Sequence, residues 1–204
     1  MRKDSLNKYK YNFHRYELEF PDIVKEKKQG RSIRTWLKEI PKIDLHRHLT
    51  GSIRFSTVLK ILRIYEINLP KDSLRSIPLR NNPKQLRKLI RVYTPPKDLE
   101  SFINSTWSIL NEVVVNEAIV SHLIYEAIED AHRENIKYLE LRVSPYGMLN
   151  GNGSLKRNFT LRSFLQALKT GIDKASKHFP STIAKIIISL PRHVLLKRFN
   201  PKTG

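Results

Sequence analysis

Ile43-Asp44-Leu45-His46-Arg47-His48-Leu49-Thr50-Gly51-Ser52-Ile53-Arg54 is the stretch on which the reading of this chain turns. It sets two imidazoles two residues apart at the end of a short apolar run. Along a β-strand, residues i and i+2 project to the same face, so His46 and His48 are expected side by side, with Leu45 and Arg47 facing away. Two neutral imidazoles held that way can bite one metal ion. An isolated His-x-His is more often just two half-exposed histidines, so the surrounding pattern has to decide. Gly51 follows at once, as a sharp turn out of a strand requires. The spacing predicts a first strand over about Lys42 to Leu45, with the histidines at its carboxyl end.

Two further strands are legible downstream. Ile136 to Val143 alternates, with Tyr138, Glu140 and Arg142 on one face and Leu139, Leu141 and Val143 on the other. In a sheet wrapped by helices, Glu140 and Arg142 must satisfy each other or a ligand. Thr182 to Leu190 is β-branched and nearly continuous, as parallel sheets prefer. Between the strands, apolar residues recur at helical spacing over about Phe55 to Ile67, Lys97 to Leu110, Val113 to Asn135 and Thr160 to Lys177, the last capped by Thr160. A short helix, about Lys84 to Val92, fits among Pro70, Pro78, Pro83, Pro95 and Pro96. His122 and His132 sit at ordinary helical positions and read as structural. The order is strand, helices, strand, helix, strand, with crossovers long enough for β-α-β units. Polar residues gather beyond the carboxyl ends of the strands, at His46 and His48, Arg142 to Pro145, and Arg192 with His193. That is where α/β folds place their sites.

Residues 1–39 read as an extension ahead of a domain over 40–204. Tyr9, Tyr11, Phe13, Tyr16, Leu18 and Phe20 approximate a period of two, which suggests an extended segment or loose hairpin, and Ser32 is placed to cap a short helix.

Composition narrows the chemistry. The 204 residues include no cysteine, so thiolate sites and the cysteine-dependent zinc deaminase signature are excluded, and a transition metal must rest on His and carboxylate ligands. No apolar run approaches the roughly 18 to 20 residues of a membrane-spanning helix, and no secretory signal is visible at Met1; a cytoplasmic location is the default expectation. The net charge of +19 invites a nucleic-acid reading. From residue 150 onward there are 11 Lys or Arg against the single acid Asp173, whereas residues 1–40 carry 11 basic and 6 acidic side chains. The surplus is spread singly over helix-like segments, which favours a solvated basic face and leaves a non-catalytic RNA-binding protein as the reading from a different class.

Taken together, these residues resemble a known family. Pro41-Lys42-Ile43-Asp44-Leu45-His46-Arg47-His48-Leu49-Thr50-Gly51-Ser52-Ile53-Arg54 looks like the first-strand motif of the adenosine deaminase family within the metal-dependent amidohydrolases. Tyr138-Leu139-Glu140-Leu141-Arg142-Val143-Ser144-Pro145 is similar to its second-strand motif, and Arg192-His193 fits the end of its third strand. The resemblance implies an α/β fold, a (β/α)₈ barrel of which about the first three βα units lie here, since such a barrel takes about 250 residues. It implies a catalytic Zn2+ bound by His46 and His48, with His48 and Thr50 facing the substrate. The implied reaction is hydrolytic deamination of adenosine or deoxyadenosine to the inosine product and ammonia, with zinc lowering the pKa of its bound water to about 7. The irregular segment from Pro83 to Leu110 would be the lid over the purine pocket, lined by some of Leu86, Leu89, Ile90, Val92, Tyr93 and Phe102. The family's later metal ligands, its Glu proton donor and its second catalytic His have no counterpart in these residues. The expectation is therefore a truncated or split chain, inactive alone, whose partners are a purine nucleoside and a second chain carrying the rest of the barrel. Thr50 stands where the family usually has Asp, which also admits another aminopurine substrate such as adenine, a methylated adenine nucleotide or an aminofutalosine compound.

Overall fold

The computed structural model describes residues 30, 32–69, 77–93, 95, 97–102, 106–149 and 160–190. The chain divides into two compact units, Met1–Pro41 and Lys42–Gly204. In the first, α1 (Ile33–Glu39) starts where the Ser32 hydroxyl accepts from the Thr35 N–H at 3.1 Å, the cap expected of that serine. The expectations for residues 9–20 and for Arg192 and His193 fall outside the described residues.

The second unit is built on three parallel strands in the order β1 (Lys42–His48), β2 (Ile136–Val143) and β3 (Ile183–Ile188). α2 (Phe55–Ile64) follows β1 after a 3-10 turn at Thr50–Ser52, and α3 (Pro83–Ile90) begins at a proline with Asn82 capping the Gln85 N–H. Then come α4 (Leu99–Phe102), α5 (Ser108–Glu112), α6 (Glu117–Arg133), α7 (Pro145–Leu149) and α8 (Leu161–His178). α6 and α8 pack on each other and on β2 and β3. Leu139, Leu141 and Val143 of β2 are buried with Leu123, Ile124, Ile128, Phe164 and Leu168 of these helices. Each fully buried aliphatic side chain contributes about 1.5 to 3 kcal/mol, so this layer holds the sheet in place.

The boundaries are chemical. Val113, Val114 and Val115 precede α6 rather than joining it, because Asn116 in extended backbone accepts from the Ile119 N–H at 2.9 Å and fixes the start there. Asn135 turns the chain from α6 into β2 at φ 58°, a left-handed conformation that asparagine tolerates, and its carbonyl accepts from the Lys42 N–H at 3.1 Å. Thr160 caps α8 with a reciprocal bond from Ser163. Of the helix expected over Lys97 to Leu110, the described residues form α4 and α5, with a π-turn at Thr106 and Trp107 ahead of α5. No helix among the described residues is long and apolar enough to cross a membrane.

Candidate active site

β1 runs through both histidines, three residues further than their expected place beyond its end. It also carries one residue more than β2 across the same span: Asp44 pairs with Leu139 and Arg47 with Leu141. The extra residue is a β-bulge. Leu139 and Leu141 share the helix-covered face, and their partners Asp44 and Arg47 meet on one side, Arg47 Nε donating to Asp44 Oδ2 at 2.7 Å. Arg47 also donates to Glu134 Oε2 at 3.0 Å, which ties β1 to the end of α6. Leu45 does not turn inward with Arg47, as strict alternation would have it; it is 58% exposed, because the bulge leaves it with His46 on the open side. Bulges re-aim side chains next to sites, and this one aims an imidazole.

His46 and His48 come together as expected, with ring centroids 5.2 Å apart in an edge-on arrangement. The turn after them is pinned twice. Ser52 Oγ donates to the His48 carbonyl at 2.9 Å, and the Leu49 N–H donates to the Arg142 carbonyl at 3.0 Å. Thr50, expected to face the substrate, is 3% exposed at the start of the 3-10 turn.

Glu140 and Arg142 do not pair with each other. Tyr138 donates its hydroxyl to Glu140 Oε1 at 3.1 Å, while Arg142 Nη1 lies 2.8 Å from His46 Nε2 and its Nε donates to Ser189 Oγ at 3.0 Å. The parallel register explains the split: His48 lies opposite Arg142 on β1, and Ser189 follows β3, so the long guanidinium reaches both ends of the site. Burial first, then the Arg142 guanidinium and His46, hold the His48 imidazole below its ordinary value.

Trp107 is the residue that sequence reasoning missed. Its ring meets His48 edge-on at 4.9 Å and Phe102 at 5.7 Å, so the segment expected as a lid meets His48 at its π-turn. Of the expected lining residues, Leu86 is fully buried in the core, Leu89 and Ile90 pack against it, and Val92 and Tyr93 are exposed. A Trp at an ordinary position of an expected helix gave no signal for this.

The donor set does not by itself hold a catalytic metal. Among the described residues no group of three or more His, Cys, Asp or Glu side chains is placed to bind one, and His46 Nε2 is already engaged by Arg142. Comparison with known proteins gives the site its context. A family model described as adenosine deaminase matches residues 41–199. The chain belongs to the adenosine deaminase family. An adenosine deaminase of Edwardsiella ictaluri is 33% identical over 138 residues, which cover 67% of this chain and 37% of that protein. An amidohydrolase of Burkholderia ambifaria solved with bound Zn superposes with a TM-score of 0.55 at 19% identity, over 78% of this chain and 38% of that one. Arabidopsis ADAL complexed with IMP superposes with a TM-score of 0.55 at 25% identity, over 76% of this chain and 42% of that one. The adenosine deaminase family match and these neighbours identify the three-stranded sheet as the opening part of a (β/α)₈ barrel, and the chain spans well under half the length of the relatives it matches.

Proposed function

We propose that residues 40–204 supply the amino-terminal part of a purine deaminase barrel, with 1–39 as an appended extension, and that the chain is inactive alone. The reaction is hydrolytic release of ammonia from C6 of adenosine or deoxyadenosine. The observation that carries this is the pair His46 and His48, side by side at the carboxyl end of β1 within the segment that matches the family. Catalytic zinc sites use three protein ligands and an open position, so a Zn2+ bound here needs further ligands from outside the described set. Those ligands belong to the later strands of the barrel, carried by a continuation of this chain or by a second polypeptide. What this chain contributes is two imidazoles and, beside them, the Trp107 ring as an aromatic surface for a purine.

Mixing the purified chain with a polypeptide that carries the remaining strands of a relative, and following ammonia release from adenosine, tests this reading. The expected result is release from the mixture and none from either part. Turnover by the chain alone would overturn its incompleteness, and a folded, metal-loaded complex without turnover on any aminopurine would remove the deaminase reading.

A second reading changes the substrate to another aminopurine. Thr50 favours it, since a neutral hydroxyl replaces a charge that would bond a ribose hydroxyl, at a loss of roughly 1 to 2 kcal/mol. ADAL, a structural neighbour, was solved with a nucleotide, IMP. Assay of the same mixture on adenine and N6-methyl-AMP decides between the two, and clear preference for adenosine removes this option.

A further inference from the structure

We propose that Arg142 holds the place of a metal ion on His46, so that in this chain the half-site is closed by its own guanidinium. The inference rests on the reading of His46 and His48 as metal-side imidazoles, and it explains why the expected zinc site and the observed one disagree.

A guanidinium has five N–H donors and no acceptor, and it stays protonated in proteins. The 2.8 Å contact between Arg142 Nη1 and His46 Nε2 therefore has one polarity: Arg142 donates and the imidazole accepts. His46 then carries its ring proton on Nδ1. An imidazole nitrogen has one lone pair in the ring plane, so the Nε2 that accepts this bond cannot also coordinate a cation. A metal must displace the guanidinium before it can take His46, and it arrives beside a group of like sign.

Arg142 is also built to stay. Its backbone lies in the register between β1 and β3, opposite His48 and Ile187. Its carbonyl is held by the Leu49 N–H and its Nε by Ser189 Oγ at 3.0 Å, so the guanidinium is fixed at its far edge while its near edge covers His46. The neighbouring carboxylates do not draw it away, because Glu140 receives the Tyr138 hydroxyl and Asp44 receives Arg47. Release of His46 thus requires either a metal that outcompetes the guanidinium or an anionic group that engages Arg142 in its stead.

The test is Zn2+ binding to the full chain, measured by competition with a chromophoric indicator, for wild type, Arg142→Gln, Ser189→Ala, His46→Gln and the double variant Arg142→Gln/His46→Gln. Losing a charge-assisted hydrogen bond to the ligating nitrogen predicts tighter Zn2+ binding by Arg142→Gln, by about tenfold or more. Ser189→Ala, which loosens the anchor and leaves the charge, is expected to tighten binding by a smaller factor, and it guards against misfolding of the first variant. The gain should vanish in the double variant. Equal or weaker binding by both Arg142→Gln and Ser189→Ala, with His46→Gln still abolishing it, overturns the competition while leaving the imidazole reading intact. Binding that survives His46→Gln unchanged overturns both, and no measurable binding in any variant overturns the competition.

Discussion

Arg54 Nη2 lies 2.6 Å from Asp130 Oδ1, joining the turn that follows the histidines to the last turn of α6. The same guanidinium nitrogen is 2.6 Å from Glu129 Oε2, and Nη1 is 3.3 Å from Glu126 Oε1, so one guanidinium bridges three carboxylates, two of which Arg133 also reaches. Thr57 donates to both oxygens of Glu126 from the first turn of α2. Removing Arg54 leaves Arg133 to pair with Glu129 and Asp130 and takes the guanidinium from the mostly buried Glu126. Arg54→Met is expected to cost about 2 kcal/mol of folding stability, and Arg54→Lys to recover only part of it, since an ammonium cannot span three carboxylates. Urea denaturation checks this, and a loss under about 0.5 kcal/mol would show that the cluster is solvated.

Gly171 is where α8 touches α6. A Cβ added there would stand 2.6 Å from the Ser121 carbonyl oxygen and 2.8 Å from Ile124 Cβ. Glycine to alanine in a helix interior ordinarily gains up to about 1 kcal/mol. Here the clash is with backbone and a β-branched side chain, which cannot yield without separating the helices, so the sign reverses. Gly171→Ala should lose about 1 to 3 kcal/mol. A raised melting temperature would mean that the helices sit further apart than described.

These contacts mark how far the sequence could be read. The β2 boundaries, the Thr160 and Ser32 caps and the pairing of His46 with His48 follow from local rules: alternation, side-chain capping and period-two geometry. The bulge in β1 does not, because it arises from register against β2 across 87 residues of sequence, visible in the Arg47 bond to Glu134. Trp107 and the partition of Glu140 from Arg142 are likewise non-local. Nothing in Tyr138 to Arg142 alone says that Tyr138 will take Glu140 and free Arg142 for His46 and Ser189.

That partition has a pH signature. The bond to Glu140, followed by desolvation and the charge of Glu140, holds the Tyr138 phenol above its ordinary value of 10. A folded-state pKa above the unfolded one gives stability that is present below pH 10 and is lost as pH rises through the folded value. Tyr138 is solvent-accessible, so the effect is read as a titration midpoint. The difference in 295 nm absorbance between wild type and Tyr138→Phe should titrate above pH 10, and in a Glu140→Gln background it should move back toward 10. An unchanged midpoint in that background would remove the bond as the cause.

The open side of the sheet carries its own expectation. Ile43, Leu45 and Ile183 are 68%, 58% and 55% exposed, and β1 and β3 are each paired on one side only among the described residues. Apolar side chains in a row along unprotected strands are a template for association. In a barrel, positions on this side face the lumen, which is why β-branched and aliphatic residues stand there at all. The chain alone is therefore expected to self-associate as concentration rises, and Ile43→Thr, Leu45→Thr and Ile183→Thr together should suppress that. Because little of these side chains is buried, the unfolding free energy should change by no more than about 0.5 kcal/mol per site. Sedimentation velocity and urea unfolding read the two quantities separately. A wild-type chain that stays monomeric over the whole concentration range, or a triple variant that loses several kcal/mol, would mean that the face is covered and the apolar row serves packing within the chain.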